Sequence, residues 1–261
     1  MIPKVIHYCW FGHTELPPLA KKCIASWHKF LPDYEIKEWN EDNFDVNGIP
    51  YTAQAYKHKK YAFVSDYARF KIIYEHGGVY LDTDVEIIKS FDDIIEKGPF
   101  MGLEIDVQNV TDENLRSSVN PGLGFAAHAK HPFLKELLHY YNELSFETNK
   151  KNYEIKTITQ HTSELLIKKG FAPKEGEITD IAGFKIYPRT FFCPFSRKTY
   201  SVEITADTRS IHHYSSSWIS KKQLWINKHR YLSLFVWALK RPIKANIKGL
   251  LRILRERRIW K

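Results

Sequence analysis

The chain has 261 residues, 43% of them hydrophobic and 15% aromatic, with a formal net charge of +9. This is the composition of a globular protein, either one large domain or a domain with an appendage, and it excludes a disordered or fibrous chain. The charge is one-sided: residues 221–261 hold thirteen Lys and Arg against Glu256 alone, while residues 1–220 hold 26 basic and 29 acidic groups. That excludes a generally basic nucleic-acid-binding domain and places an electrostatic anchor at one end.

In chain order, the apolar run Val5-Ile6-His7-Tyr8-Cys9-Trp10-Phe11 before Gly12 predicts a buried strand ending in a loop. Pro17-Pro18 predicts the start of a helix that passes Trp27 and Leu31. Residues 34–39 alternate apolar and polar like a second strand, and Asn40-Glu41-Asp42-Asn43 reads as a polar turn. Over 61–76, Phe63, Tyr67, Phe70, Ile73 and Tyr74 recur at helical spacing, and Gly77-Gly78 is a stop signal. Val79-Tyr80-Leu81 then reads as a short strand, followed by Asp82-Thr83-Asp84. Further strands are predicted at 100–103, 122–127, 184–187 and 210–214, and helices at 132–144 and 159–169, with a polar loop running through Asn114. The alternation of strand and helix predicts an α/β core over residues 1–220. Residues 221–261 form a separate tail, in which Ile243, Ile247, Leu250, Leu251 and Leu254 share one helical face and Lys244, Lys248, Arg252 and Arg255 the other.

Cys9, Cys23 and Cys193 lack metal-ligand spacing and read as reduced thiols of a cytosolic protein. The opening residues are too polar for a signal peptide, and no run of about 18 apolar residues predicts a membrane span.

Asp82 and Asp84 lie two residues apart after a strand. In extended backbone both carboxylates point to one side, where they can converge on a hard cation such as Mg²⁺ or Mn²⁺. An isolated Asp-x-Asp is usually a surface turn. Here it follows Gly77-Gly78 and a helix in which Asp66 and Arg69 share a face. That pair reads either as an ordinary ion pair or as a phosphate fork beside a hydroxyl acceptor.

Ser65-Asp66-x-x-Arg69 followed by Gly77-Gly78-Val79-Tyr80-Leu81-Asp82-x-Asp84 resembles the signature of the DXD sugar transferases of glycosyltransferase family 32. The resemblance extends to Ile2-Pro3-Lys4-x-Ile6-His7-Tyr8-x-Trp10-Phe11-Gly12 and to His212-His213-x-x-x-Ser217-Trp218, so that three blocks match in order across residues 1–220. It implies a GT-A fold, a Rossmann-like nucleotide-binding sheet flanked by helices. It also implies that Trp10 stacks on the nucleobase beside the Cys9 backbone, and that Asp66 and Arg69 hold the donor sugar and its phosphates. Tyr80 and Asp82 would lie near the ribose and sugar, and Asn120 near the sugar. Asp84 would be the firmest metal ligand, with Asp82 and a late His completing the set, His212 ahead of His213. Ser217 and Trp218 would sit on a loop over the diphosphate. An imidazole ligand tilts the metal from Mg²⁺ toward Mn²⁺.

The resemblance further implies transfer with retention from a nucleotide sugar, UDP-linked by preference, to a glycan or lipid-linked oligosaccharide, as in bacterial capsular polysaccharide synthesis. The tail can then be an anchor on the anionic inner face of the plasma membrane or simply a packed helix with a solvated basic face. Two other functions compete. Leu81-Asp82-Thr83-Asp84-Val85 superficially fits the nucleophile motif of a haloacid dehalogenase-type phosphohydrolase, although that motif usually opens its domain. A non-catalytic carbohydrate- or membrane-binding protein is the other, and the complete acidic and Arg set speaks against it.

Overall fold

A computed structural model describes residues 1–105, 118–146, 156–196 and 201–215. Seven strands form one mixed sheet in the order β2 (Glu35–Trp39), β1 (Val5–Cys9), β3 (Gly78–Tyr80), β6 (Phe125–Ala127), β5 (Phe100–Gly102), β8 (Phe184–Tyr187) and β7 (Thr179–Ile181). β1 is parallel to β2 and β3, β6 runs against both β3 and β5, and β8 is parallel to β5. The carboxyl ends of β1, β2, β3, β5 and β8 therefore share one edge, where open α/β sheets bind their ligands.

Successive strand residues feed opposite layers, because side chains alternate across a sheet. Tyr80, Met101, Phe125 and Ile186 join a core with Phe63, Tyr67 and Phe70 of the helix α3 (Tyr61–His76), while Val79, Phe100, Ala126 and Tyr187 join one with Trp27 of α1 (Pro18–Phe30). The result is the α/β architecture expected, a Rossmann-like sheet flanked by helices. The helix α1 starts on Pro18 and buries Ala20, Cys23 and Trp27 as a single stripe. By contrast α3 is buried on most of its circumference, Asp66 and Arg69 included.

At the end of α3, Gly77 (φ 69°) and Gly78 (φ 105°) turn the chain directly into β3. A side chain at Gly78 would meet the Val5 carbonyl at 2.7 Å. His7 on β1 pins this turn. Its Nε2–H donates to the Gly77 carbonyl at 3.0 Å and its Nδ1 accepts from the Trp39 indole at 3.0 Å. Both ring nitrogens are used only in the neutral form, and burial lowers the His7 pKa to about 4.

The structure corrects one predicted strand. Within 122–127, only Phe125–Ala127 is extended, and Pro121–Leu123 is a 3₁₀ turn. Pro121 fixes the turn's first φ, and the Asn120 side chain accepts from the Gly122 N–H at 2.7 Å. Sequence periodicity missed the helix α2 (Pro50–Lys57), the short strand β4 (Val85–Ile87) and a small hairpin of β9 (Phe195–Ser196) with β10 (Ser201–Val202). β4 pairs antiparallel with β11 (Ser210–His212). That last predicted strand stops at His212, because Tyr214 takes a positive φ of 48°. Among the described residues no helix is long and apolar enough to cross a membrane. Ser217, Trp218 and the basic tail lie outside the described residues.

Candidate active site

The Asp-x-Asp segment lies at the carboxyl edge of the sheet, in the turn that links β3 to β4. Leu81 N–H donates to the His7 carbonyl (3.1 Å), Asp82 N–H to the Gly122 carbonyl (3.3 Å), and Val85 N–H back to Asp82 (3.0 Å). The third bond closes a four-residue turn, so the backbone that carries both carboxylates is held at three points.

Arg69 reaches this turn from α3. Its two terminal nitrogens approach the two Asp82 oxygens at 3.3 and 3.5 Å. One of them also contacts Asp66 at 3.1 Å, while Nε donates to the Ser65 carbonyl at 3.0 Å. The guanidinium lies 4.7 Å from the centre of the Tyr80 ring, and the Tyr80 hydroxyl donates to Asp82 at 3.3 Å. The sequence resemblance groups Asp66, Arg69, Tyr80 and Asp82, and the structure brings these four together. Burial pushes the Asp66 carboxyl up to about 7, against the pull of Arg69. Burial also raises Asp82, which Arg69 pulls down and the Asp84 charge raises further.

The pairing of β11 with β4 sets His212 opposite Val85, and from there His212 Nε2 meets Asp84 Oδ1 at 3.1 Å. The other Asp84 oxygen accepts from the Ser215 N–H at 2.8 Å. Burial alone would raise the Asp84 carboxyl, but the His212 bond and the Ser215 amide prevail and hold it below the usual carboxylate range. Burial would likewise lower His212, and the Asp84 bond reverses that. One donor atom each from Asp82, Asp84 and His212 lies within 4.8 Å of the others. Two carboxylate oxygens and an imidazole are a donor set that fits Mn²⁺. The buried His212 Nδ1 has no hydrogen-bond partner among the described residues. His213 points the other way, to Glu86 at 2.8 Å, which Lys22 also contacts at 2.9 Å. Of the two histidines, His212 is the one beside the aspartates.

Cys9 and Trp10 end β1 on the same edge. Cys9 is buried, and burial pushes its thiol up to about 12. Trp10 is partly exposed and its indole N–H donates to the Thr14 carbonyl at 2.7 Å. Asn120 is buried, with Nδ2 donating to Glu104 at 2.8 Å. A Cβ on Gly122 would overlap the Asp82 carboxylate, so that turn is moulded to Asp82. Gln160 is the N3 residue of a capping box on the helix Ile158–Lys168.

Two site residues escape a sequence reading. Glu104 closely follows β5, and Ser215 contributes only a backbone amide, which no side-chain pattern can reveal. For Glu104 the available signal was an acidic residue just past a buried strand whose end shares the edge with Asp82.

Residues 17–101 match the family model of the glycosyltransferase sugar-binding region containing the DXD motif. The match covers α1 through β3 and β4 and contains Asp66, Arg69, Asp82 and Asp84. Among curated proteins, the chain is 34% identical over 106 residues to an uncharacterized glycosyltransferase of Acanthamoeba polyphaga mimivirus, covering 38% of this chain and 42% of that protein. It is 29% identical over 144 residues to inositol phosphoceramide mannosyltransferase 3 of Schizosaccharomyces pombe, covering 52% of this chain and 36% of the relative. The chain thus aligns with about two fifths of the length of these relatives. Among solved structures, a galactosyltransferase LgtC in complex with donor and acceptor sugar analogs is similar over 85% of this chain and 91% of that one, at 13% identity and a TM-score of 0.46.

Proposed function

We propose that the chain is a metal-dependent glycosyltransferase that moves a sugar from a nucleotide-sugar donor to a hydroxyl of a glycan or lipid-linked oligosaccharide. The observation that carries this is the convergence of Asp82, Asp84 and His212 within 4.8 Å, in front of a buried Arg69. All of these except His212 lie in the segment that matches a sugar-binding region.

A divalent cation held by Asp82, Asp84 and His212 would supply charge neutralisation for a departing diphosphate. Arg69 is a second fixed positive charge, positioned in advance by Asp66, Asp82 and Ser65. Asp66 accepts hydrogen bonds from sugar hydroxyls, and Asn120 lies on the same side of the sheet. Tyr80 steers the Asp82 carboxylate near the ribose and sugar. Trp10 offers an aromatic face at the end of β1 for the nucleobase, and Ser217 and Trp218 are proposed as further donor-binding residues. UDP-sugars are the favoured donors and Mn²⁺ the favoured ion, given the imidazole ligand.

Transfer proceeds with retention. The bond from the anomeric carbon to the diphosphate breaks as the acceptor oxygen bonds to the same face, and the hydroxyl proton passes to the leaving phosphate. The basic tail would hold the enzyme peripherally on the cytoplasmic face of the plasma membrane, where capsular or surface polysaccharide is assembled. A chain truncated near Ser220 would then leave anionic liposomes.

The test is a thermal-shift panel of UDP-, GDP- and CDP-sugars with and without Mn²⁺. A ligand at 100 times its Kd stabilises by about 2.7 kcal/mol, or roughly 5–10 °C for a domain of this size. Asp84→Asn should abolish the metal-dependent part. An equal shift in that variant, or hydrolysis of a generic phosphate ester in place of sugar transfer, refutes the assignment.

A further inference from the structure

Glu104 is a half-buried acid that none of the motifs includes. It is fixed where β5 ends: its N–H donates to the Ser118 carbonyl at 2.8 Å, beside the bridge between Leu103 and Val119. Its carboxylate accepts from Asn120 Nδ2 at 2.8 Å, and Asn120 Oδ1 accepts from the Gly122 N–H at 2.7 Å. Gly122 in turn receives the Asp82 N–H on its carbonyl and has no room for a Cβ against the Asp82 carboxylate.

An amide side chain can face either way, and the two orientations are nearly equal in shape. At Asn120 the choice is forced from both ends. The Gly122 N–H can only donate, so it requires the amide oxygen. An ionised carboxylate can only accept, so Glu104 requires the amide nitrogen. We infer that Glu104 is a positioning residue for the donor site: by locking the Asn120 amide it holds the Asn120–Gly122 turn against Asp82 and so fixes one arm of the metal set.

This rests on the proposed role of Asp82, and the test separates the two. Glu104→Gln destroys the polarity at one end, since a glutamine can present either a donor or an acceptor. The double variant Glu104→Gln/Asn120→Asp reverses the pair. The introduced glutamine amide then donates to one oxygen of the introduced aspartate while the other oxygen accepts from Gly122, so both bonds and the pair's charge are preserved. Mn²⁺ affinity is read from the free-ion electron paramagnetic resonance signal, without donor or turnover, alongside the thermal melt of each protein.

Partners of ligands typically contribute about 10- to 100-fold in metal affinity. Glu104→Gln should weaken Mn²⁺ binding by about tenfold or more at an unchanged number of sites, and the reversed pair should recover most of the loss. A folded Glu104→Gln protein with wild-type affinity overturns the inference, as does a reversed pair that stays weak, because the position of the charge would then matter more than the bond. If the single variant does not fold, the reversed pair alone decides. Failure of the wild-type protein to bind Mn²⁺ refutes the proposed function instead.

Discussion

His7 connects pH to the geometry of the Asp-x-Asp turn. Its neutral ring joins Gly77 to Trp39, and its own backbone carbonyl receives the Leu81 N–H. Its pKa is 6.5 in the unfolded chain and about 4 in the fold, with burial as the main cause. The folded value is depressed, so above pH 6.5 both states are neutral and the full stability is present. As pH falls from 6.5 toward 4, the unfolded state takes up the proton first and stability is lost. The difference corresponds to about 3 kcal/mol in full, of which about 2.5 kcal/mol is gone by about pH 4.5. His7→Gln removes the titration while keeping one donor and one acceptor. Urea unfolding followed by tryptophan fluorescence, at several pH values from about 7.5 to 4.5, should give a curve for the variant that falls less steeply, by about 2.5 kcal/mol over the range. His131 and His161, also lowered by burial, contribute equally to both proteins and cancel. Parallel curves would refute a buried neutral His7.

Arg69→Met should cost about 3–5 kcal/mol, because it leaves the Asp66 and Asp82 carboxylates buried without their shared cation. Denaturant unfolding measures the loss, and Arg69→Lys should not restore transfer, since an ammonium cannot span Asp66, Asp82 and the Ser65 carbonyl as the fork does. Gly122→Ala places a methyl on the Asp82 carboxylate and should cost about 1–3 kcal/mol. Its loss of donor turnover should exceed that of Gly98→Ala, whose added Cβ meets nothing within 4 Å. Steady-state assays on the two variants make that comparison.

Local patterns carried the elements that local physics decides. The helix Tyr61–His76 has its stop signal in Gly77-Gly78, and both of its predicted ends coincide with those observed. Helix spacing put Asp66 and Arg69 on one face, and the family resemblance, rather than periodicity, grouped them with Tyr80 and Asp82. What remained hidden is non-local. β4 is three residues long and is specified by its pairing with a segment more than a hundred positions later. The turn at Pro121–Leu123 looked like a strand because Gly122-Leu123-Gly124-Phe125 is as apolar as one. Pro121, the Asn120 cap and the bulk of Asp82 together decide its shape. Glu104 carries no motif, and its place emerges once β5 and β3 are known to run in the same direction. Choosing between His212 and His213 required the pairing register, since neighbouring strand residues face opposite sides.

The third member of the proposed cation set comes late in the chain. Helix α3 and strand β3 directly precede Asp82 and Asp84 in the chain, whereas His212 follows some 130 residues behind. Until β11 is synthesised, β4 has no strand to pair with and Asp84 has neither imidazole nor Ser215 amide beside it. A chain cut before β11 would keep Asp82, Asp84 and Arg69 but lose the His212 and Ser215 contacts that Asp84 makes. The acid pair and its arginine are thus encoded in one short stretch of chain, and the imidazole beside them comes from the far end of the described sequence.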